Sequence, residues 1–360
     1  MPRNFVDHDT KMRISILRAI MIFGIVVLHT PAYVPIAEIG SGWFDLTKAF
    51  FQSAVFRCAV PMLTCISGYL LFQSGLDTDF KKLAVKKCRT LLIPFLTCNV
   101  LLSALLYVLQ SHYPLQTSYQ LYPFDSATMF DAAFSLTKAP VNYPLHFIRD
   151  LFILMMLSPL FGWLLKHSPL QGLLLVALIF WFNMDGYFIQ RNEMAIMFYV
   201  GGMAAVQKWN LRRLDDHAGA CLVLFLALCS LVVIFQISNT TFLRFLAPVL
   251  IWPATALISN TNAGSWIARR SKYSFFVFLL HAPLLLVWYT AYKKFVPEGF
   301  YPLYWFVTPV LVTWLLVTIY KICIAVSAAN FGLFFGLSTT KANSSSVQAM
   351  PGVAAPVHSD

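Results

Sequence analysis

Apolar residues in this chain fall in long unbroken blocks, not at alternate positions. Ten blocks stand out, near 14–34, 49–73, 90–110, 147–165, 170–187, 194–208, 218–237, 243–260, 273–291 and 302–325. A helix that crosses a bilayer needs roughly 20 mainly apolar residues, and most of these blocks come close to that length. A transmembrane β-barrel would instead show segments of about ten residues that alternate apolar with polar. The pattern predicts an all-α fold: a polytopic integral membrane helical bundle of about 10 transmembrane helices. It sets a short cytoplasmic segment at 1–12, a single membrane domain at 13–330 and a disordered cytoplasmic tail at 331–360. The tail reads "STTKANSSSVQAMPGVAAPVHSD" after Leu337, too small and polar to build a core.

Composition sharpens this picture. Charged residues make up 11% of the chain and hydrophobic residues 59%, against about 25% charged in soluble domains. A net charge of +11 would in a soluble protein suggest nucleic acid, but its placement points elsewhere. With the N-terminus inside, sixteen Lys and Arg fall in cytoplasmic segments, among them Lys81, Lys82, Lys86, Lys87, Arg89, Arg212, Arg213, Arg269 and Arg270. Six fall outside: Lys48, Lys138, Arg191, Arg244, Lys293 and Lys294. That asymmetry satisfies the positive-inside rule and predicts a cytoplasmic N-terminus. The basic excess is therefore mainly a topology signal, with some attraction for anionic lipids or an anionic cytosolic ligand, and no nucleic-acid role is expected. The seven cysteines lie in or beside spans, with no CxxC or metal-type spacing, and read as apolar fillers. No metal site is expected. The first span resembles a signal peptide in its basic flank, but it carries Arg18 and His29 and more spans follow, so an uncleaved helix is expected.

Ionisable groups at bilayer depth cost several kcal/mol unless they face a polar interior, so each is a functional candidate. The first span, "ILRAIMIFGIVVLHT", holds Arg18 and, eleven residues on, His29. Eleven helical steps are three turns plus about 20°, so both lie on nearly one face about 16 Å apart, suited to two ends of one elongated ligand. The plainer alternatives are an Arg that snorkels to headgroups and a His bonded to a carbonyl. Pro31 and Pro35 should end that helix. In the second span Arg57 sits near the outer end and Ser67-Gly68-Tyr69 lie deeper, as hydroxyl donors or as a small-residue packing contact. Arg89 belongs to a cationic segment, "KKLAVKKCRTLLIPF", that serves as an orientation signal or as an entry site for phosphates. His146, Arg149 and Asp150 cluster within one turn, with an Arg149–Asp150 surface ion pair as the plain reading. His281 falls mid-span beside Pro283. The longest outer loop, about 111–146, is rich in Tyr, Pro and Ser and should pack as a partial lid.

"LRAIMIFGIVVLH" and "RCAVPMLTCISGYLL" together resemble acyltransferase family 3, the integral membrane O-acyltransferases of bacterial surface glycans. The family's Arg, ten residues, His is matched by Arg18 and His29. Its second-span motif is matched at Arg57 and Ser67 to Tyr69, and its basic "R-x-L-x-I/L-P" at Arg89 through Pro94. "FIRDLFIL…LSPL" is similar to the fourth-span segment, although a Trp common there is replaced around Phe147. "SFFVFLLHAPLL" is similar to a late segment that supplies His281. The likeness runs over roughly 10–330 and is that of the single-domain branch, which includes exopolysaccharide succinyl- and acetyltransferases.

The resemblance implies a multi-pass protein of the bacterial inner (plasma) membrane that passes an acetyl or succinyl group from acyl-CoA to a glycan hydroxyl. Acyl-CoA would be a co-substrate, with no tightly bound cofactor. The acceptor would be a polysaccharide or lipid-linked oligosaccharide, and membrane lipids would surround the whole. CoA phosphates would rest on Arg89 and its neighbours and the donor would pass Arg18 toward His29. His29 would then act as general base or as a covalent acyl carrier. Arg57, Arg149, Ser67 or Tyr69 would stabilise the oxyanion or hold a charged acyl group. The competing readings are a transporter or flippase for a glycan lipid, whose path polar mid-span residues would line, and a structural subunit of a polysaccharide assembly complex.

Overall fold

A computed structural model describes residues 6–335 except 116 and 187. The tail beyond 335 lies outside the described residues. All ten apolar blocks fall on helix, and no strand occurs among the described residues. In chain order the main helices are α1 (His8–Leu28), α2 (Trp43–Gln73), α3 (Phe80–His112), α4 (Ser126–Phe134), α5 (Tyr143–Met156) and α6 (Ser158–His167). They continue as α7 (Pro169–Trp181), α8 (Asn192–Val206), α9 (Asp215–Ile234), α10 (Thr241–Ser259), α11 (Asn262–Phe295) and α12 (Glu298–Ser327).

Among the described residues, six helices are long and apolar enough to cross a membrane, or seven if the pair α5–α6, bent by 56°, counts as one span. The difference from ten has physical causes. Three of the blocks fall short of that standard: α1 carries Asp9, Lys11, Arg13 and Arg18, while α7 and α8 run for 13 and 15 residues. Helix α1 packs against α2 and α11, and α8, largely buried, packs against α2 and α7.

Two features set the helix positions around α1 and α2. A Cβ at Gly68 would lie 2.1 Å from the carbonyl oxygen of Phe198, and one at Gly201 would lie 2.0 Å from that of Cys65. Helices α2 and α8 thus touch backbone to backbone, which hydrogen in place of a side chain permits. At the other end of the axis, Arg13 grips Asp215 through two bonds of 2.8 and 2.7 Å and Asp9 at 2.9 Å, tying the start of α1 to the start of α9.

The end of the chain departs from the expected boundary at 331. Past a kink at Ser327 the helix continues to Phe335. Phe331 and Phe335 pack their rings on Phe276 at 5.3 and 5.5 Å, and this aromatic contact holds the extra turns in place. The 111–146 segment folds over one end of the bundle around its own small core of Tyr119, Leu121 and Ala132.

Candidate functional site

The regular hydrogen bonding of α1 runs out around His29, where Thr30 N–H still reaches the Val27 carbonyl at 3.2 Å, and side chains of other helices add further partners. The Gln52 amide nitrogen lies 2.9 Å from the Val27 and Thr30 carbonyl oxygens. The Tyr301 hydroxyl accepts from the Ala32 N–H at 2.7 Å and donates to the Pro31 carbonyl at 3.0 Å, while Lys48 donates to the Ala32 carbonyl and to Tyr301. These contacts come from α2 and α12 and fix the backbone on both sides of His29. A buried carbonyl left unmade would cost about 1–3 kcal/mol, so this end of α1 is held firmly.

His29 then meets His281 on α11. The Nδ1 of His29 lies 2.9 Å from the Nε2 of His281, and the rings stack at 5.2 Å between centroids. His281 is fully buried, and its Nδ1 lies 2.8 Å from the Phe278 carbonyl. A carbonyl can only accept, so the His281 Nδ1 carries hydrogen. In the neutral ring Nε2 then holds a lone pair and accepts from the His29 Nδ1–H. The order continues outward: the lone pair of neutral His29 sits on its Nε2. Pro283 has no N–H, so the Leu279 carbonyl one turn earlier lacks its helical donor. The Asn142 side chain donates to it at 2.9 Å, and Asn142 is in turn bonded through its N–H to Asn99 at 3.1 Å. The break in α11 beside His281 is therefore filled.

A cavity of about 380 Å³ opens beside His29. Its walls include Tyr33, Arg57, Tyr143, His146 and Arg191. The Arg57 guanidinium donates to the Tyr33 hydroxyl at 2.8 Å, and Tyr143 meets the His29 ring edge-on at 5.0 Å. The His146 Nδ1 donates to the Tyr143 carbonyl at 2.7 Å, which turns its Nε2 toward the Arg191 Nε at 3.4 Å. Neither Arg57 nor Arg191 has a carboxylate partner among the described residues, whereas nearby Arg244 is paired with Glu193 at 2.8 Å. The chamber thus joins an oriented imidazole to two guanidinium groups that have no carboxylate partner among the described residues.

Residues 13–329 match the family model described as an acyltransferase domain, acyltransferase 3. The chain belongs to the acyltransferase 3 family. This acyltransferase is 31% identical over 330 residues to the succinoglycan biosynthesis protein ExoH of Rhizobium meliloti, covering 87% of this chain and 88% of that one. No solved structure matches it. Membership decides among the readings of the sequence: the chain is an acyltransferase, and its helices are those of a multi-pass membrane protein.

The structure brings His29, Arg57, His146 and His281 of this acyltransferase together, and leaves other candidates elsewhere. Arg149 and Asp150 form no surface pair: Asp150 is fully buried and bonded to Arg149 at 2.8 Å and to the Arg191 N–H at 3.0 Å. Arg149 also donates to the carbonyls of Ser135 and Phe188 at 2.7 and 2.9 Å, so the pair clamps the outer segments onto α5 behind the cavity. Arg18 is exposed on α1 and does not line the cavity at His29. The Ser67 hydroxyl bonds back to the Leu63 carbonyl at 2.7 Å, while Tyr69 lines a different groove with Trp209 and Arg213. Arg89 lines a shallow basic recess with Lys82 and Lys86.

Tyr33, Tyr143 and Arg191 are cavity residues to which sequence reasoning assigned no role. Arg191 counted there as one basic residue of an outer loop. Its one signal was position, one residue before a helix that is buried on all sides.

Proposed function

We propose that this acyltransferase moves an acetyl or succinyl group from acyl-CoA to a hydroxyl of an exported polysaccharide, with His29 as the general base. The observation that carries the reading is the His29–His281 contact, because it leaves the His29 Nε2 lone pair free beside the cavity. In the proposed step the His29 Nε2 takes the proton of the acceptor hydroxyl, and the oxygen adds to the thioester carbonyl. The tetrahedral oxyanion forms near Arg57 and Arg191, then collapses with loss of the C–S bond. The CoA sulfur leaves and recovers the proton from His29. Base catalysis of this kind is worth about 10²–10⁴-fold, and cationic donors at an oxyanion add to it.

The polysaccharide acceptor is supported by the relative, whose name places it in succinoglycan biosynthesis. The inner membrane of a bacterium is the proposed location, with membrane lipids around the bundle. Arg18, Lys87 and Arg89 would meet the polyanionic end of acyl-CoA, since none of the three has a carboxylate partner among the described residues. Transfer of labelled acetyl or succinyl from its CoA ester to a saccharide by the purified protein tests the proposal. His29→Ala should lower turnover at least about 100-fold, and Arg18→Ala should chiefly raise the KM for the CoA ester. Unchanged transfer by correctly inserted His29→Ala protein would overturn it.

A further inference from the structure

The end of the bundle away from His29 carries a groove of about 760 Å³ between α1, α11 and α12. Its wall is apolar, built from Ile20, Phe23, Val310, Trp314 and Val317. Its rim is cationic: Arg269, Arg270, Lys272 and Lys321 converge there, and among the described residues no carboxylate lines it. The Arg270 guanidinium carbon stands 3.2 Å from the centre of the Trp266 ring, and Lys272 and Lys321 approach the Tyr273 ring at 5.0 and 6.0 Å. None of the four cations has an acidic partner among the described residues. Another groove of equal volume, between α2, α8 and α10, has Arg213 as its one cation among the described residues.

We propose that this groove holds one anionic phospholipid, phosphate on the basic rim and an acyl chain along the apolar wall. Three observations select that occupant. From Val310 to Lys321 is eleven helical residues, about 16 Å, and one leaflet of a bilayer's hydrocarbon core is about 15 Å thick. The groove opens sideways, since Val310, Trp314 and Trp266 are 58%, 63% and 52% exposed. It is also closed toward the His29 cavity on two of its sides: on the next turn Ile25 and Val26 on α1, and Phe278 and Leu279 on α11, are buried. A CoA ester lodged here would meet that barrier, whereas a lipid needs no way through. Lys and Arg at a membrane boundary attract anionic headgroups additively, and Arg matches phosphate with two parallel bonds.

Native mass spectrometry of the full-length protein, titrated with phosphatidylglycerol or phosphatidylcholine, tests the site. Phosphatidylglycerol should be retained at least about tenfold better than phosphatidylcholine. That preference should vanish in the fourfold variant R269Q/R270Q/K272Q/K321Q. A matched variant, K81Q/K82Q/K86Q/K87Q, removes equal charge on α3 and should keep the preference. Trp314→Ala, which leaves all charges in place, should weaken retention of both lipids and separates chain contact from charge. Equal losses in the two fourfold variants would reduce the effect to general attraction and overturn the site. So would loss of CoA binding in the groove variant, which would make the groove a donor site. Stronger lipid retention after removal of 336–360 would name the chain's own tail as the occupant and would likewise overturn the lipid site.

Discussion

His281 touches no part of the cavity, yet it fixes which nitrogen of His29 is basic. In the proposed mechanism it is a positioning residue, and its replacement separates orientation from simple packing. His281→Ala should lower kcat about 100-fold or more with little change in KM. Gln in that place can bring its side-chain oxygen to where Nε2 stood and accept from the His29 Nδ1–H. His281→Gln should therefore recover a measurable part of kcat, and steady-state transfer assays on the three proteins decide it. Equal kcat losses for Ala and Gln would reduce His281 to a space-filling role. Asn142 acts one step further back. Asn142→Leu deprives the Leu279 carbonyl of its donor, and thermal unfolding in detergent should show a loss of about 1–3 kcal/mol. At this scale the sequence reading reached His29, His281 and Arg57 because ionisable groups in apolar blocks demand an explanation. It missed Tyr33 and Tyr143, since an aromatic residue near a membrane boundary is ordinary.

At the scale of elements, the short apolar blocks were legible as helices, while the number of spans was not. Hydropathy reports how apolar a segment is; it does not tell lipid from neighbouring helix as the surroundings. Helix α8 shows this, with a span-like composition and a length that suits a core helix. The Ser-Gly-Tyr run on α2 had two meanings in sequence, and the contact of Gly68 with the Phe198 carbonyl gives weight to packing. Gly68→Val forces α2 and α8 apart, and a stability loss of roughly 1–3 kcal/mol should follow. An unfolding temperature equal to the parent's would show that the two helices adjust freely. Likewise Arg149–Asp150 read as a surface pair because one turn of helix gives no sign of burial. The segments that cover it, around Ser135 and Phe188, are distant in sequence.

Across the whole molecule, the basic residues divide between the two ends of the bundle. The Arg18, Lys87 and Arg270 end faces one side, and the His29, Arg57 and Arg191 end the other. The positive-inside count assigns the first end to the cytoplasm. Single cysteines introduced at Lys82 and Lys138 test this in intact cells with a membrane-impermeant maleimide. The residue-138 probe should label directly and the residue-82 probe after permeabilisation; the reverse order would invert the molecule. What composition could not convey is the depth at which each charge ends up, because that depends on which helices cover it.

The two imidazoles that meet at 2.9 Å are 252 residues apart in the chain. The first follows the end of α1, and its partner stands on α11. In the proposed mechanism a nascent polypeptide therefore carries an unfinished centre until α11 emerges, and a product truncated before α11 should be inert however well its preceding helices insert. On that reading, acyl transfer waits until α11 has joined the bundle.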